Sequence, residues 1–343
     1  MTNEHQSDAN AIANTNQLDN GWIQVKVPLP FSLKYVNAYL VPEQEGSGYT
    51  VIDPGLHTPE ALAAWEFVLA NLGLTFTDII RIVLTHQHPD HYGLAGLFQQ
   101  RSGAPVWISR ASQQYAERMW GPNRVLADEL IEVFRLHGMP NELRQGIKDN
   151  LESFVPMVTP YPAVTYMEAG QPFRFGGIDW TTIEGNGHAE GQILFYDEAS
   201  GIIVCGDQVM PDITPNVSVV PGETEDPLEA FLVSLQQLSK LEVSLALPGH
   251  RESFVDFTGR CEGLIAHHAR RLDKMVVLLQ EQQGAEATGF AMCELLFGGR
   301  ITLNMHNLRF AMAETLAHLV RLEKQGRVEL LKRNGQYIYH AIL

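Results

Sequence analysis

Residues 85–91 read Thr85-His86-Gln87-His88-Pro89-Asp90-His91, directly after the apolar run Ile82-Val83-Leu84. Three histidines and an aspartate within six positions form the pattern H-x-H-x-D-H. If the chain stays extended after Leu84, His86 and His88 project to the same side, because strand side chains alternate with period two. Pro89 suits the first position of a helix, which would put Asp90 and His91 at its N-terminus. A strand-to-helix loop of this kind can present four ligands to one space. Imidazole nitrogen with carboxylate oxygen suits zinc, with iron or manganese as alternatives. Four such groups make either one closed site or half of two open ones. The alternative is a solvated polar loop.

Three further stretches carry a polar ligand at the end of an apolar β-run: His188 in IEGNGHAEGQ, Asp207 in IIVCGDQ and His250 in LALPGHR. Each stands next to a glycine, where side chains converge at one edge of a sheet. Taken singly, each reads as a turn residue.

Around these stretches the chain is rhythmic. IQVKVPLP, YVNAYLV and YTVID are β-rich runs separated by turn residues. Thr58-Pro59 opens a helix that Gly73 closes. RIVLT and PVWIS are the next strands. Residues 110–157 break the rhythm: they are helix-forming, interrupted at Trp120-Gly121-Pro122 and Gly138-Met139-Pro140. Strands resume with AVTYME, IDWTTIEG, QILFYDE and GIIVCGD, then a helix near 226–241 and the strand VSLALPG. The expected architecture is α/β (α+β), two sheets covered by helices. From residue 260 the pattern changes to three helices and a hairpin turned at Asn334-Gly335, which reads as a winged-helix module. The expected organisation is a disordered tail at 1–20, a main domain at 21–259 with a helical insert at 110–157, and a winged-helix domain at 260–343.

H-x-H-x-D-H, GHAEGQ, CGD and PGH in this order resemble the metallo-β-lactamase superfamily over residues 22–255. The resemblance implies a four-layer αβ/βα sandwich with two divalent metal ions at the sheet edges. His86, His88 and His188 would hold the first and Asp90, His91 and His250 the second, with Asp207 between them. It also implies a metal-bridging hydroxide as nucleophile, with Asp90 and Asp207 as the catalytic carboxylates. Gln87 stands where di-iron flavoproteins of the superfamily carry an acidic ligand, and no cysteine falls among the ligands, unlike some antibiotic-hydrolysing members. The stretch MAETLAHLVRLEKQGRVEL is similar to the C-terminal appendage of the lactamase-like protein 2 type branch, which includes a mitochondrial endoribonuclease. Asp53, ahead of Pro54-Gly55, is either a residue behind the ligands or a turn aspartate. Tyr92 is either a proton donor or packing for the new helix.

Composition narrows the partners. The 343 residues are 45% hydrophobic and carry a net charge of −16. Residues 260–343 hold eleven Lys and Arg against eight Asp and Glu, so the rest carries −19. That balance disfavours nucleic acid and anionic membranes. No apolar run is long enough to span a bilayer. Three cysteines without a CxxC pair suit a reducing, cytoplasmic setting. The expected substrate is a small acyl compound (thioester, ester or lactone), with a homodimer as a possible assembly. Alternatives are a phosphodiesterase or endoribonuclease, and a metal-bound regulatory protein whose winged helix reads nucleic acid. Tyr115, Met119, Trp120, Phe134, Leu136 and Phe154 form either a lid over the metals, an extra core layer or a dimer face. Residues 207–222 offer a further pocket wall. Arg309, Arg321, Lys324 and Arg327 read as solvated cations, and His267-His268 with Arg270-Arg271 as surface groups or neighbours of the site opening.

Overall fold

A computed structural model describes residues 15–342. The N-terminal tail expected at 1–20 lies mostly outside the described residues. Its last part departs from that expectation: Thr15–Gln17 forms strand β1 on the edge of the first sheet. Three polar residues have no strand signal of their own, and pairing with β2 (Ile23–Pro28) supplies the hydrogen bonds that hold them extended.

The first sheet continues in chain order through β3 (Tyr35–Pro42), β4 (Tyr49–Ile52), β5 (Ile79–Val83), β6 (Val106–Ser109) and β7 (Val164–Met167). Helix α1 (Pro59–Asn71) links β4 to β5, with the Thr58 side chain accepting from Ala61 N at 3.1 Å as its cap. The second sheet runs β12-β11-β10-β9-β8, built from β8 (Pro172–Phe175), β9 (Ile178–Gly185), β10 (Gln192–Asp197), β11 (Ile202–Gly206) and β12 (Leu245–Pro248). Strand alternation sorts the residues between layers. Tyr39, Val41, Ile52, Val83, Ile193, Phe195, Val204 and Leu247 fill the core between the sheets. Their neighbours Leu40, Val51, Ile82, Leu194, Ile203 and Ala246 face the covering helices. The result is the expected sandwich of two sheets between helical layers.

After β5 come the short helix α2 (Pro89–Tyr92) and α3 (Ala95–Ser102). The insert forms three helices, α4 (Arg110–Trp120), α5 (Leu126–Leu136) and α6 (Asn141–Ser153), broken at the two Gly-Pro-containing stretches. Helix α7 (Pro227–Leu238) precedes β12.

The C-terminal unit begins with α8 (Phe257–Gln280), three residues before the expected boundary. It continues with β13 (Glu286–Thr288), α9 (Gly289–Phe297), α10 (Met305–Lys324), β14 (Val328–Arg333) and β15 (Gln336–Ala341). Strand β13 was not expected; at three residues it has no alternation to read, and it exists by pairing with β15. Asn334 (φ 50°) and Gly335 (φ 77°) both adopt left-handed backbone, the conformation that a two-residue hairpin turn requires.

The unit packs on the rest of the chain. Its basic residues are engaged there: Arg321 pairs with Asp226 and Glu229, and Lys324 with Glu225. Arg327 pairs with Asp273 on α8. The expectation of a solvated cation is therefore corrected for Arg321, whose partner Asp226 is largely buried, whereas Lys324 and Arg327 stay in solvent beside exposed partners. His268 is corrected too: it is fully buried against His318, and Arg271 pairs with Glu314. The buried positions Cys261, Leu264, His268, Leu272, Met275 and Leu279 recur at three- and four-residue steps, which puts His268 on the inner stripe of α8.

Candidate active site

The loop from β5 to α2 bends at Thr85, His88 caps α2 with extended backbone (φ −62°, ψ 145°), and Pro89 opens the helix. His86 and His88 are thus brought together, Nε2 to Nδ1 at 2.9 Å. Asp90 and His91 rise from the first turn of α2. The second sheet delivers the other groups from the ends of β9, β11 and β12: His188, Asp207 and His250. A backbone bond from Ile193 N to Thr85 O, 2.9 Å, ties the two sheets at this edge.

All seven sequence-predicted residues meet here. His86, His88 and His188 form one group of potential ligand atoms, Asp90, His91 and His250 another, and His86, His91 and Asp207 a third. Within each group the atoms lie within 4.8 Å of one another. Asp207 stands centrally: its carboxylate is 3.4 Å from His91 Nε2, 3.7 Å from His188 Nε2 and 3.4 Å from His250 Nε2. Asp90 lies 3.1 Å from His250 Nε2.

The ring nitrogens facing away from the centre are held, and the holders fix the tautomers. His91 Nδ1–H donates to Asp53 Oδ2 at 2.9 Å, His188 Nδ1–H to Asn216 O at 2.9 Å and His250 Nδ1–H to Tyr35 O at 2.9 Å. Thr85 donates its hydroxyl to Asp53 Oδ2 (2.6 Å), leaving Thr85 Oγ1 to accept from His86 Nδ1–H at 3.0 Å. Each Nε2 then carries a lone pair into the site. Nε2 of His91, His188 and His250 and Oδ1 of Asp207 are buried without a hydrogen-bond partner. Buried polar atoms are rarely left so. A convergent set of orphaned nitrogen and oxygen donors fits a pair of divalent cations, and these residues could hold one.

Electrostatics divides the set into imidazoles held neutral and imidazoles drawn toward the protonated form by the carboxylates, where a bound cation would take the proton's place. Burial and the neighbouring imidazoles push His86 well below 6.5 and His88 down to about 3, so both are neutral donors. Burial opposes charge on His91 and His250, but Asp207 with Asp53 raises His91, and Asp207 with Asp90 raises His250 to about 10. Burial would lift the Asp207 carboxyl; His250 and His91 outweigh it and hold it well below the usual range. The buried carboxylates thus call for positive charge, and the imidazole lone pairs beside them are placed to ligate its carrier.

Asp53 sits behind the ligands. It also accepts from Thr85 N at 2.8 Å, and its φ of 52° is the backbone cost of that position. Tyr92 is packing: it is 1% exposed and its hydroxyl reaches Gln113 Oε1 at 3.4 Å. Sequence reasoning missed Tyr35 and Asn216, which act through main-chain oxygens and so leave no side-chain signal. It also missed the function of Gly249: a Cβ there would fall 2.2 Å from Asp207 Oδ1 and 2.6 Å from His91 Cε1.

A cavity of about 230 Å³ opens over the site. The insert contributes Tyr115, Trp120 and Phe154, and the 207–222 stretch contributes Met210, Ile213, Thr214 and Asn216. Of the proposed lid residues, Met119, Phe134 and Leu136 do not line this cavity, and Met119 and Phe134 belong instead to the core. The roof is unexpected: His306, Asn307, Arg309 and Phe310 come from the start of α10. Asn304 caps that helix by accepting from Asn307 N at 3.0 Å. The His306 ring stacks on Phe31 (4.9 Å between centroids) and Phe154 (5.6 Å), which also touch each other (5.6 Å), and the three rings form an aromatic wall.

Residues 32–250 match the metallo-beta-lactamase superfamily. The chain belongs to this superfamily. Residues 273–341 match the metallo-beta-lactamase-like C-terminal domain. The chain is 27% identical over 331 residues to the probable metallo-hydrolase YqjP of Bacillus subtilis, covering 89% of this chain and 93% of that one. It is 22% identical to an atrochrysone carboxyl ACP thioesterase of Aspergillus fumigatus, covering 91% of this chain and 62% of the relative. Among solved structures, a metallo-beta-lactamase family protein of Thermus thermophilus superposes with a TM-score of 0.83 at 33% identity, covering 94% of this chain and 99% of that one. This member of the superfamily is a hydrolase, and its His and Asp clusters are suited to metal.

Proposed function

We propose that the protein hydrolyses a small acyl compound, a thioester, ester or lactone, at a two-metal centre. His86, His88 and His188 hold one divalent ion, Asp90, His91 and His250 the other, and Asp207 lies between them. The observation that carries this reading is the convergence of unpartnered Nε2 atoms around the Asp207 carboxylate. Zinc suits the donor set, and iron or manganese would be tolerated by the same nitrogen and oxygen atoms. When bound, such ions supply an acidified water and electrophilic activation of the acyl oxygen.

The chain's own groups orient that chemistry. Asp53, Asn216 and Tyr35 hold the imidazoles in the ligand tautomer. Asp90 and Asp207, kept ionised, would accept hydrogen bonds from the attacking water and so orient it. The aromatic wall of Phe31, His306 and Phe154 excludes bulk water and favours a compact apolar chain. The cavity volume is small beside ordinary ligand pockets of roughly 300–1,000 Å³. The thioesterase relative supports an acyl substrate.

We read the C-terminal unit as a winged-helix fold used for roofing rather than for nucleic acid. Arg321 and Lys324 face acidic partners of the main domain, so they offer no basic track. Among the described residues no helix is long and apolar enough to cross a membrane. The three buried free cysteines support a reducing, cytoplasmic location.

The test is a substrate panel with and without chelator: p-nitrophenyl esters, acyl-CoA thioesters, homoserine lactones, bis-p-nitrophenyl phosphate and short RNA. Chelator-sensitive turnover of an acyl member is expected. RNA or phosphodiester cleavage without acyl turnover would overturn the reading.

A further inference from the structure

Arg309 differs from the other cations near it. Arg118 pairs with Glu129, Arg271 with Glu314, and Arg321 with Asp226 and Glu229. Arg309 makes no ion pair among the described residues, and its Nε is shut off from solvent without an acceptor. Its guanidinium lies over the Phe310 ring, 4.0 Å from the centroid, and lines the cavity above the metal site. Tyr115 lines the same cavity and is close enough for the guanidinium to favour its ionised form against burial.

The nearby acid does not answer this charge. Asp90 faces His250 Nε2 at 3.1 Å and belongs to the ligand set. His306, beside Arg309, is held neutral by burial, at about 4. A guanidinium stays charged at all working pH values, and half-buried Arg309 keeps its Nε out of water without an acceptor, which is costly. Its planar fork matches a carboxylate in two parallel hydrogen bonds. The aromatic face of Phe310 fixes the plane of that fork.

We propose that Arg309 receives a carboxylate carried by the substrate at the end remote from the scissile bond, so that the preferred substrates are half-thioesters or half-esters of short dicarboxylic acids. This rests on the acyl-hydrolase reading above and narrows it. Ligand residues Asp90, Asp207 and His250 line this small cavity together with Arg309 and the aromatic residues Phe31 and Phe154, so one short molecule can meet the metal centre, the aromatic wall and the guanidinium at once. Specificity thus comes from the C-terminal unit, whereas the chemistry comes from the main domain.

The experiment uses the full chain loaded with zinc and two probes matched in length, S-glutaryl- and S-pentanoyl-N-acetylcysteamine. The wild type is expected to favour the glutaryl probe in kcat/KM by about tenfold or more, the worth of a charge-assisted hydrogen-bond pair. Arg309→Gln should remove that ratio and Arg309→Lys should retain part of it, each variant being checked for folding by its melting curve. An unchanged ratio in Arg309→Gln, or no preference in the wild type, overturns the proposal. If neither probe is hydrolysed, the acyl reading fails separately, and calorimetry with glutaramate and neutral glutaramide decides the role of Arg309. Glutaramate should then bind the wild type about tenfold more tightly than Arg309→Gln, with a much smaller change for glutaramide. Equal loss for both ligands, or none for either, sinks the assignment.

Discussion

Among the described residues two buried clusters join histidine to carboxylate, and they differ in what remains open. At the sheet edges, five imidazoles and two carboxylates converge, and Nε2 of His91, His188 and His250 faces only carboxylates of that same set. Between α8 and α10, His268, Glu314 and His318 also lie within 4.8 Å. There, however, Arg271 and Asn216 already occupy the Glu314 carboxylate. His318 Nδ1–H donates to Glu314 O (2.8 Å), and His268 Nδ1–H donates to His318 Nε2 (3.0 Å). One lone pair is left, on His268 Nε2, beside a fixed guanidinium. The lesson is that ligand residue types and proximity do not define a metal centre. Unspent lone pairs without a resident cation do.

The largest effect that would break this contrast is expected from His86→Ala combined with His88→Ala, which should abolish hydrolysis and lower bound metal measured by inductively coupled plasma spectrometry. An active, fully metallated double mutant would remove the basis for the two-metal reading. Gly249→Ala comes next. The added methyl would displace both Asp207 and His91, so metal content and activity should fall together, with a destabilisation of about 1–3 kcal/mol from overpacking. Asp53→Asn should keep the fold and cost roughly 10–100-fold in metal affinity or activity, because the amide supports the wrong His91 tautomer.

At the second cluster, His318→Gln should leave metal stoichiometry and kcat near wild type and cost about 1–3 kcal/mol in thermal or denaturant unfolding. A drop in bound metal would erase the distinction. The pH dependence sharpens it. Burial holds His318 down to about 4 and His268 to about 2, below the ordinary 6.5. The unfolded chain therefore binds protons that the folded one refuses. Stability from this cluster is intact above pH 6.5 and is lost progressively as pH falls toward 4. Melting curves should show the wild type losing stability faster than His318→Gln over that window, the smallest of these effects.

The two regions were unequally legible from sequence. His86, His88, Asp90 and His91 share one loop, and His188, Asp207 and His250 each follow an apolar β-run, so local pattern sufficed to find them. Asp53 was visible only as one of two readings, because nothing local says whether an aspartate before Pro-Gly turns the chain or reaches His91. Arg309 and His306 had no local signal: they join the site through the packing of a helix that starts far beyond His250 in the chain. The burial of His268 had a signal, the three-and-four spacing from Cys261 to Leu279, that its charged neighbours Arg270 and Arg271 obscured. β1 and β13, at three residues each, are set by their partners rather than by their own residues.

The placement of the first turn of α10 over the cavity has a consequence for how such proteins diversify. On the proposed role of Arg309, part of the selectivity sits in a separate stretch of the gene from the reactivity. Exchanging residues 304–310 would retune what is admitted while the hydrolytic machinery is inherited untouched. Deleting everything after residue 256 would not yield a minimal enzyme but an unroofed one, with Phe31 and Phe154 bared to water.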